Sequence, residues 1–140
     1  MNIRASISNE RDRNDVTLQT DGSVHSIHIP SKASGFGSSA NGGELLFLSL
    51  ATCYCNDIYR EAGSRGIEII GVDVDVHGEF GGVGEPARNV TYQAKIRARG
   101  TSKEQVAALL KHTDSVAEIH NTLRAGADVR MLGEEIEIVE

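Results

Sequence analysis

The chain has 140 residues, a formal net charge of −6, 39% hydrophobic and 24% charged residues. It is long enough for one domain with a moderate core, and its acidic balance excludes a broad nucleic-acid surface, which needs a basic stripe. Its longest apolar run is about half of the ~20 residues that span a bilayer, so no membrane span is expected.

The N-terminus, MNIRASISNERDR, is polar and strand-like, without the apolar core of a secretion signal. The expected setting is the cytoplasm, where both cysteines stay reduced. Trp is absent and aromatics are scarce, so Ile, Val and Leu must build the core. Residues 2–7 predict a short strand. Residues 16–20, VTLQT, alternate apolar and polar, and Asp21-Gly22 separates them from SVHSIHIP, which predicts a hairpin. From Pro30 to Gly43 the composition is that of a loop, long enough to suggest a functional or partner-packed segment.

Residues 44–62 carry no Pro or Gly and predict a helix, with Gly63 and Gly66 placed to end it. Leu45 to Cys55 is apolar all round, which predicts burial on every side. Two alternating strands follow. Ile70, Val72, Val74 and Val76 form the expected inner face of the first, and Val90, Tyr92, Ala94, Ile96 and Ala98 that of the second. Their outer faces are acidic on one strand and basic on the other, which suits cross-strand pairing. Thr101 with Glu104 and Ser115 with Glu118 read as capping boxes opening two short helices. EEIEIVE, at 134–140, reads as a closing strand. The order is βββ-α-ββ-αα-β, an α+β class with mainly antiparallel sheet and one domain over 1–140.

Both cysteines lie in the long helix. On a helical wheel Cys53 shares its side with Leu46, Ser49, Leu50, Asn56, Asp57 and Arg60, while Cys55, about 200° away, faces Leu48, Ala51, Ile58 and Tyr59. Their side chains diverge, so a disulfide within an intact helix is excluded. Cys55 reads as a small buried hydrophobe. Cys53 is the candidate nucleophile. It lies mid-helix, beyond help from the helix dipole, and Asp57 at i+4 raises its pKa, so an activating cation must come from elsewhere. Arg60 lies roughly 10 Å along the axis. Five histidines could join Cys53 around a metal, but they show no zinc-site spacing and no metal is expected. His120 sits beside the apolar stripe of its helix and reads as a packing residue.

The segments NGGELLFLSLATC, YREAGSRGIEIIGVDVDVHGEF and HNTLRAG, with this element order, resemble the OsmC/Ohr family over nearly the whole chain. The resemblance implies an OsmC-like fold and an intertwined homodimer with the two long helices at its centre. It also implies peroxide-reducing thiol chemistry without a cofactor. Cys53 matches the peroxidatic cysteine. The resolving position is Ala117, the activating glutamate position is Gly43 with Glu44 beside it pointing elsewhere, and the activating arginine matches Arg11 or Arg13. The family's two-cysteine cycle therefore cannot run here, unless Cys55 resolves after local unwinding. Whether the chain is an enzyme stays open, with two main readings. One is a hydroperoxide reductase recycled by an external thiol. The other is an OsmC-like dimer without peroxidase activity that binds a small molecule in an inter-subunit cleft near Asn56, Asp57, His112, Asp114, Glu118 and His120. A metal site of Cys53 with a histidine is the third.

Overall fold

A computed structural model describes residues 1–139. The chain divides into two compact units, one of Met1–Leu48 with Phe80–Arg88, the other of Ser49–Glu79 and the chain from Asn89.

In the first unit, β1 (Ile3–Glu10), β2 (Arg13–Thr20) and β3 (Ser23–Ile27) form an antiparallel sheet in that order, with Ile7 opposite Val16 and Leu18 opposite His25. The hairpin expected at Asp21-Gly22 is present. Asp21 takes φ 50°, a conformation Asp tolerates better than most residues, and its Oδ1 accepts from the Asn2 N–H at 2.9 Å. The loop after β3 is pinned by asparagines of the sheet. Asn14 Nδ2 donates to the Ile29 carbonyl at 2.9 Å, and the Gly37 N–H donates to Asn9 Oδ1 at 3.0 Å. Gly35 and Gly37 turn with φ of 98° and 86°, which only glycine adopts readily.

Helix α1 runs over Gly42–Ser64. Its start is a reciprocal cap: the Glu44 N–H donates to Asn41 Oδ1 at 2.8 Å and the Asn41 N–H donates to Glu44 Oε1 at 2.9 Å. At the far end the Ile67 N–H reaches back to the Ala62 carbonyl at 3.0 Å across Gly66, whose φ is 66°.

In the second unit, β4 (Glu68–Glu79) and β5 (Arg88–Arg99) form a two-stranded sheet. Helices α2 (Lys103–Val116) and α3 (Glu118–Arg124) follow. Tyr54, Ile58 and Ala62 from α1 meet Leu109 from α2, and Ile67, Ile69, Val72, Val74, Tyr92, Ala94, Ile96 and Leu110 pack around them. One ion pair involves these strands, Arg99 Nη1 bonded to Glu68 Oε1 at 3.1 Å.

Six expectations are corrected. The alternation of β4 slips phase between Ile69 and Val72, leaving Ile70 exposed. The Arg97 guanidinium lies over Gly71, in the place of a Cβ. Val90 is exposed as well. The α2 cap is Ser102 with Gln105, one residue later than Thr101 and Glu104, and Ser115 donates to the His112 carbonyl instead of capping α3. Residues 134–139 form no strand among the described residues, and Glu140 lies outside them. Ile136 and Ile138 are exposed, because an alternating pattern gives a strand its faces but no neighbouring edge to satisfy its backbone. Finally, α1 is not buried all round within the chain. Its buried stripe is Leu50, Tyr54, Asp57, Ile58 and Ala62, whereas Leu48 and Tyr59 beside Cys55 are exposed. A single chain cannot enclose a whole helix with two strands and two short helices.

Candidate active site around Cys53

Cys53 and Cys55 are both half-buried and both free. The helix between them is unbroken, so they stay on different faces, as the wheel predicts. Cys53 Sγ lies 3.5 Å from Asp57 Oδ2, one turn on, and 3.8 Å from Glu118 Oε2, at the start of α3. Arg60 closes the group. Its Nη1 bonds the other oxygen of each carboxylate, Asp57 Oδ1 at 3.1 Å and Glu118 Oε1 at 2.9 Å, while its Nε bonds Glu61 Oε2 at 3.0 Å. His112 Nε2 meets Glu61 Oε1 at 2.6 Å. Thiol and guanidinium thus sit on opposite oxygens of the same two carboxylates.

The electrostatics follow from this geometry. Partial burial pushes the Cys53 thiol up, and Asp57 and Glu118 add to that; the Ile119 N–H, bonded to the sulfur, works the other way. At neutral pH Cys53 is a thiol. Burial also pushes the Asp57 carboxyl up, as does its contact with Glu118. Glu118 is held down by its own backbone N–H, by Asp57 and by Arg60. Arg60 is raised by Glu61 and Glu118 and stays charged.

The sequence-derived candidates distribute as follows. Asp57 is in the site and buried. Asn56 is exposed on the next position of the helix. Arg11 lies over the Phe36 ring, 4.8 Å from its centroid, and Arg13 pairs with Asp15 at 2.6 Å, both within the first unit. The cation bonded into the thiol's carboxylate pair is Arg60, whose side chain folds back over one turn. Its i,i+3 spacing to Asp57 was the available signal. Gly43 has a local reason to be glycine: a Cβ there would stand 2.8 Å from the Phe80 ring, which stacks on Phe47. Glu44 is spent on the helix cap. Ala117 is fully buried at the junction of α2 and α3, beside Glu118.

His120 belongs to a second group. It is buried, with its ring edge-to-face on Tyr92 at 4.6 Å and tilted to Tyr54 at 5.8 Å, and neither nitrogen has a hydrogen-bond partner. The Tyr92 hydroxyl donates to Asp114 Oδ1, Arg124 Nη2 bonds the same oxygen at 2.8 Å, and the Tyr54 hydroxyl donates to the Leu110 carbonyl at 2.8 Å.

One ligand atom from each of Cys53, Asp57 and Glu118 would fit a metal ion, since all three lie within 4.8 Å of one another. Arg60 already neutralises both carboxylates from the same place, and no histidine joins the group.

Residues 35–131 match the model of the family described as OsmC-like protein. No curated protein matches the chain. Among solved structures, an OsmC-like protein from Mycoplasma pneumoniae is 18% identical with a TM-score of 0.62, over 89% of each chain. An organic hydroperoxide resistance protein from Elizabethkingia anophelis is 19% identical with a TM-score of 0.61, over 90% of each chain. That of Bacillus subtilis is 16% identical with a TM-score of 0.54, over 90% of this chain and 93% of its own. These likenesses establish the α+β fold, with its antiparallel sheet and three helices.

Proposed function

The chain belongs to the OsmC-like family, and from that premise we propose that it reduces organic hydroperoxides with Cys53 as the reacting thiol. The observation that carries this reading is the position of Cys53 Sγ within a polar group of two carboxylates held by one arginine. A buried cysteine serving only as filler would meet apolar neighbours. Two structural neighbours are named hydroperoxide resistance proteins, which agrees with this reading.

In the cycle, Cys53 takes the terminal peroxide oxygen and becomes a sulfenic acid, and the alcohol leaves. Cys55 faces away, so an external thiol condenses with the sulfenic acid, releasing water. A second thiol attacks the external sulfur of that mixed disulfide, so the external disulfide leaves and Cys53 returns to the thiol. The working unit is a homodimer in the cytoplasm, where small thiols are plentiful. Intact-mass analysis after brief exposure to cumene hydroperoxide tests the reading. Reduced wild type and Cys55→Ser gain one oxygen, and Cys53→Ser gains none. If wild type gains none in its folded state, the ligand-binding reading without peroxide chemistry replaces this one.

A further inference from the structure

We propose that Glu118 is a charge filter at Cys53, so that the external thiol closing the cycle is a neutral or cationic one and small anionic thiols are turned away. This rests on the reading that Cys53 reduces hydroperoxides, and it names the class of partner which that reading leaves open. Two carboxylates touch the sulfur, Asp57 at 3.5 Å and Glu118 at 3.8 Å. The Asp57 side chain is 8% exposed, whereas that of Glu118 is 56% exposed. Of the two, Glu118 is the one that meets a molecule arriving from solvent.

The charges around the sulfur do not cancel. One guanidinium, that of Arg60, serves Asp57, Glu61 and Glu118 together. His112 meets Glu61 alone. Three carboxylates against one guanidinium and at most one imidazolium leave the group negative in either state of the histidine. Arg60 also sits on Glu118 Oε1, while Oε2 is the oxygen turned to the sulfur.

An incoming thiol must bring its own sulfur to Cys53 Sγ. A charge two carbons from that sulfur then stands about 6 Å from the Glu118 carboxylate, where one unit charge in water changes a rate about threefold and separates a cation from an anion about tenfold. Such a field acts on encounter and leaves the chemistry at the sulfur as it is. The filtered step balances. One thiol, RSH, condenses with the Cys53 sulfenic acid, the S–S bond forms and water leaves. A second RSH attacks the R sulfur, RSSR leaves, and Cys53 recovers its proton. Two external thiols are oxidised and one sulfenic acid is reduced.

The test uses reduced protein with Cys55→Ser, which leaves Cys53 as the single thiol. Three methanethiosulfonates transfer an S–R group to the Cys53 thiolate with loss of methanesulfinate, R being cationic trimethylammonioethyl, neutral methyl or anionic sulfonatoethyl. Rates are read by intact mass, each divided by the rate of the same reagent with free 2-mercaptoethanol. The cation should outpace the anion. The chain's net charge of −6 adds a diffuse preference of the same sign, so the change on substitution decides. In Glu118→Gln the cation-to-anion ratio should fall about fivefold at ~0.02 M salt, and by less than about twofold at ~1 M, where the Debye length shrinks to about 3 Å. Glu118→Asp should keep the ratio, and Arg60→Gln should raise it. Any effect of a substitution on the thiol itself acts on all three reagents alike and leaves the ratio unmoved. Thermal melts show that each variant is folded. After a gain of one oxygen from cumene hydroperoxide, the preference for recycling by 2-aminoethanethiol over 3-mercaptopropionate should fall in Glu118→Gln in the same proportion. The filter is overturned if Glu118→Gln keeps the wild-type ratio, or if Glu118→Asp loses as much of it as Glu118→Gln. A chain that gains no oxygen removes the peroxide reading and leaves the reagent ratios to decide the filter by themselves.

Discussion

Glu118 and His120 stand two residues apart on α3 and meet opposite fates. Glu118 is half exposed, bonded to Arg60 and within reach of the thiol. His120 is enclosed by Tyr54 and Tyr92 with both nitrogens unpartnered. One helix of seven residues thus delivers a fully satisfied charge to one neighbourhood and an unsatisfied imidazole to another. The difference teaches that a polar side chain's identity says little about its chemistry. Glu118 keeps its charge because Arg60 and water are at hand, and His120 gives up its charge because burial and Arg124 outweigh Asp114.

The comparison breaks most visibly if the thiol's end of α3 is given back what the family resemblance says is missing. Ala117→Cys should convert the peroxide product of Cys53 from a sulfenic acid into a disulfide, read as a loss of two mass units in place of a gain of one oxygen. A stable gain of one oxygen in Ala117→Cys would show that position 117 does not face Cys53 closely enough to resolve it. Arg60→Gln comes next. Removing the positive charge that Arg60 brings to Asp57 and Glu118 should push the Cys53 thiol further up and slow its oxidation at pH 7 by about tenfold, one pKa unit's worth. A thiol titration unchanged from wild type would mean that Arg60 holds the carboxylates without being felt at the sulfur.

Much of this site was legible in the sequence, in proportion to how local each signal was. The wheel placed Asp57 and Arg60 on the side of Cys53, because helical spacing is fixed by backbone geometry. It put Cys55 on another face for the same reason. It could not place Glu118, 65 residues away, because the α2–α3 junction that delivers it is a tertiary fact. Arg60 was legible on the same terms as Asp57, since it folds back over its own helix turn. Arg11 and Arg13, which the resemblance names, lie within the first unit, Arg11 on Phe36 and Arg13 on Asp15. For the fold, Asp21-Gly22 and the alternation in β4 and β5 announced the strands. Slips of one residue at Ser102 and Gly71 were not visible, since neighbouring residues offered equally good chemistry. EEIEIVE alternates as well as any strand, but pairing is decided by an available edge and not by the segment itself.

The smallest expected effect is the sharpest test of the comparison, because it isolates the unsatisfied imidazole. His120→Phe keeps a ring of similar shape between Tyr54 and Tyr92 and removes two buried nitrogens without partners. At neutral pH it should stabilise the chain by about 1 kcal/mol, the desolvation cost it relieves, raising Tm by roughly 3 °C. The pH dependence fixes the sign. Burial depresses the folded-state pKa of His120, with Arg124 acting the same way and Asp114 opposing both. The wild-type stability from this residue is therefore present above the ordinary histidine value near 6.5 and is lost as pH falls through the lower folded value. Tyr54 and Tyr92 also face the ring, and their hydroxyls are pushed up and stay neutral throughout this range. Asp114, held below the usual carboxylate range chiefly by Tyr92 and Arg124, and Glu61, held there by Arg60 and His112, also weaken the fold in acid; those partners are the same in both chains, and only the minor contribution of His120 to Asp114 is lost in the variant. The advantage of His120→Phe should thus widen between pH 7 and pH 5. A constant gap would mean that His120 pays no penalty for charging, and hence that its nitrogens do reach a partner that keeps the imidazolium comfortable.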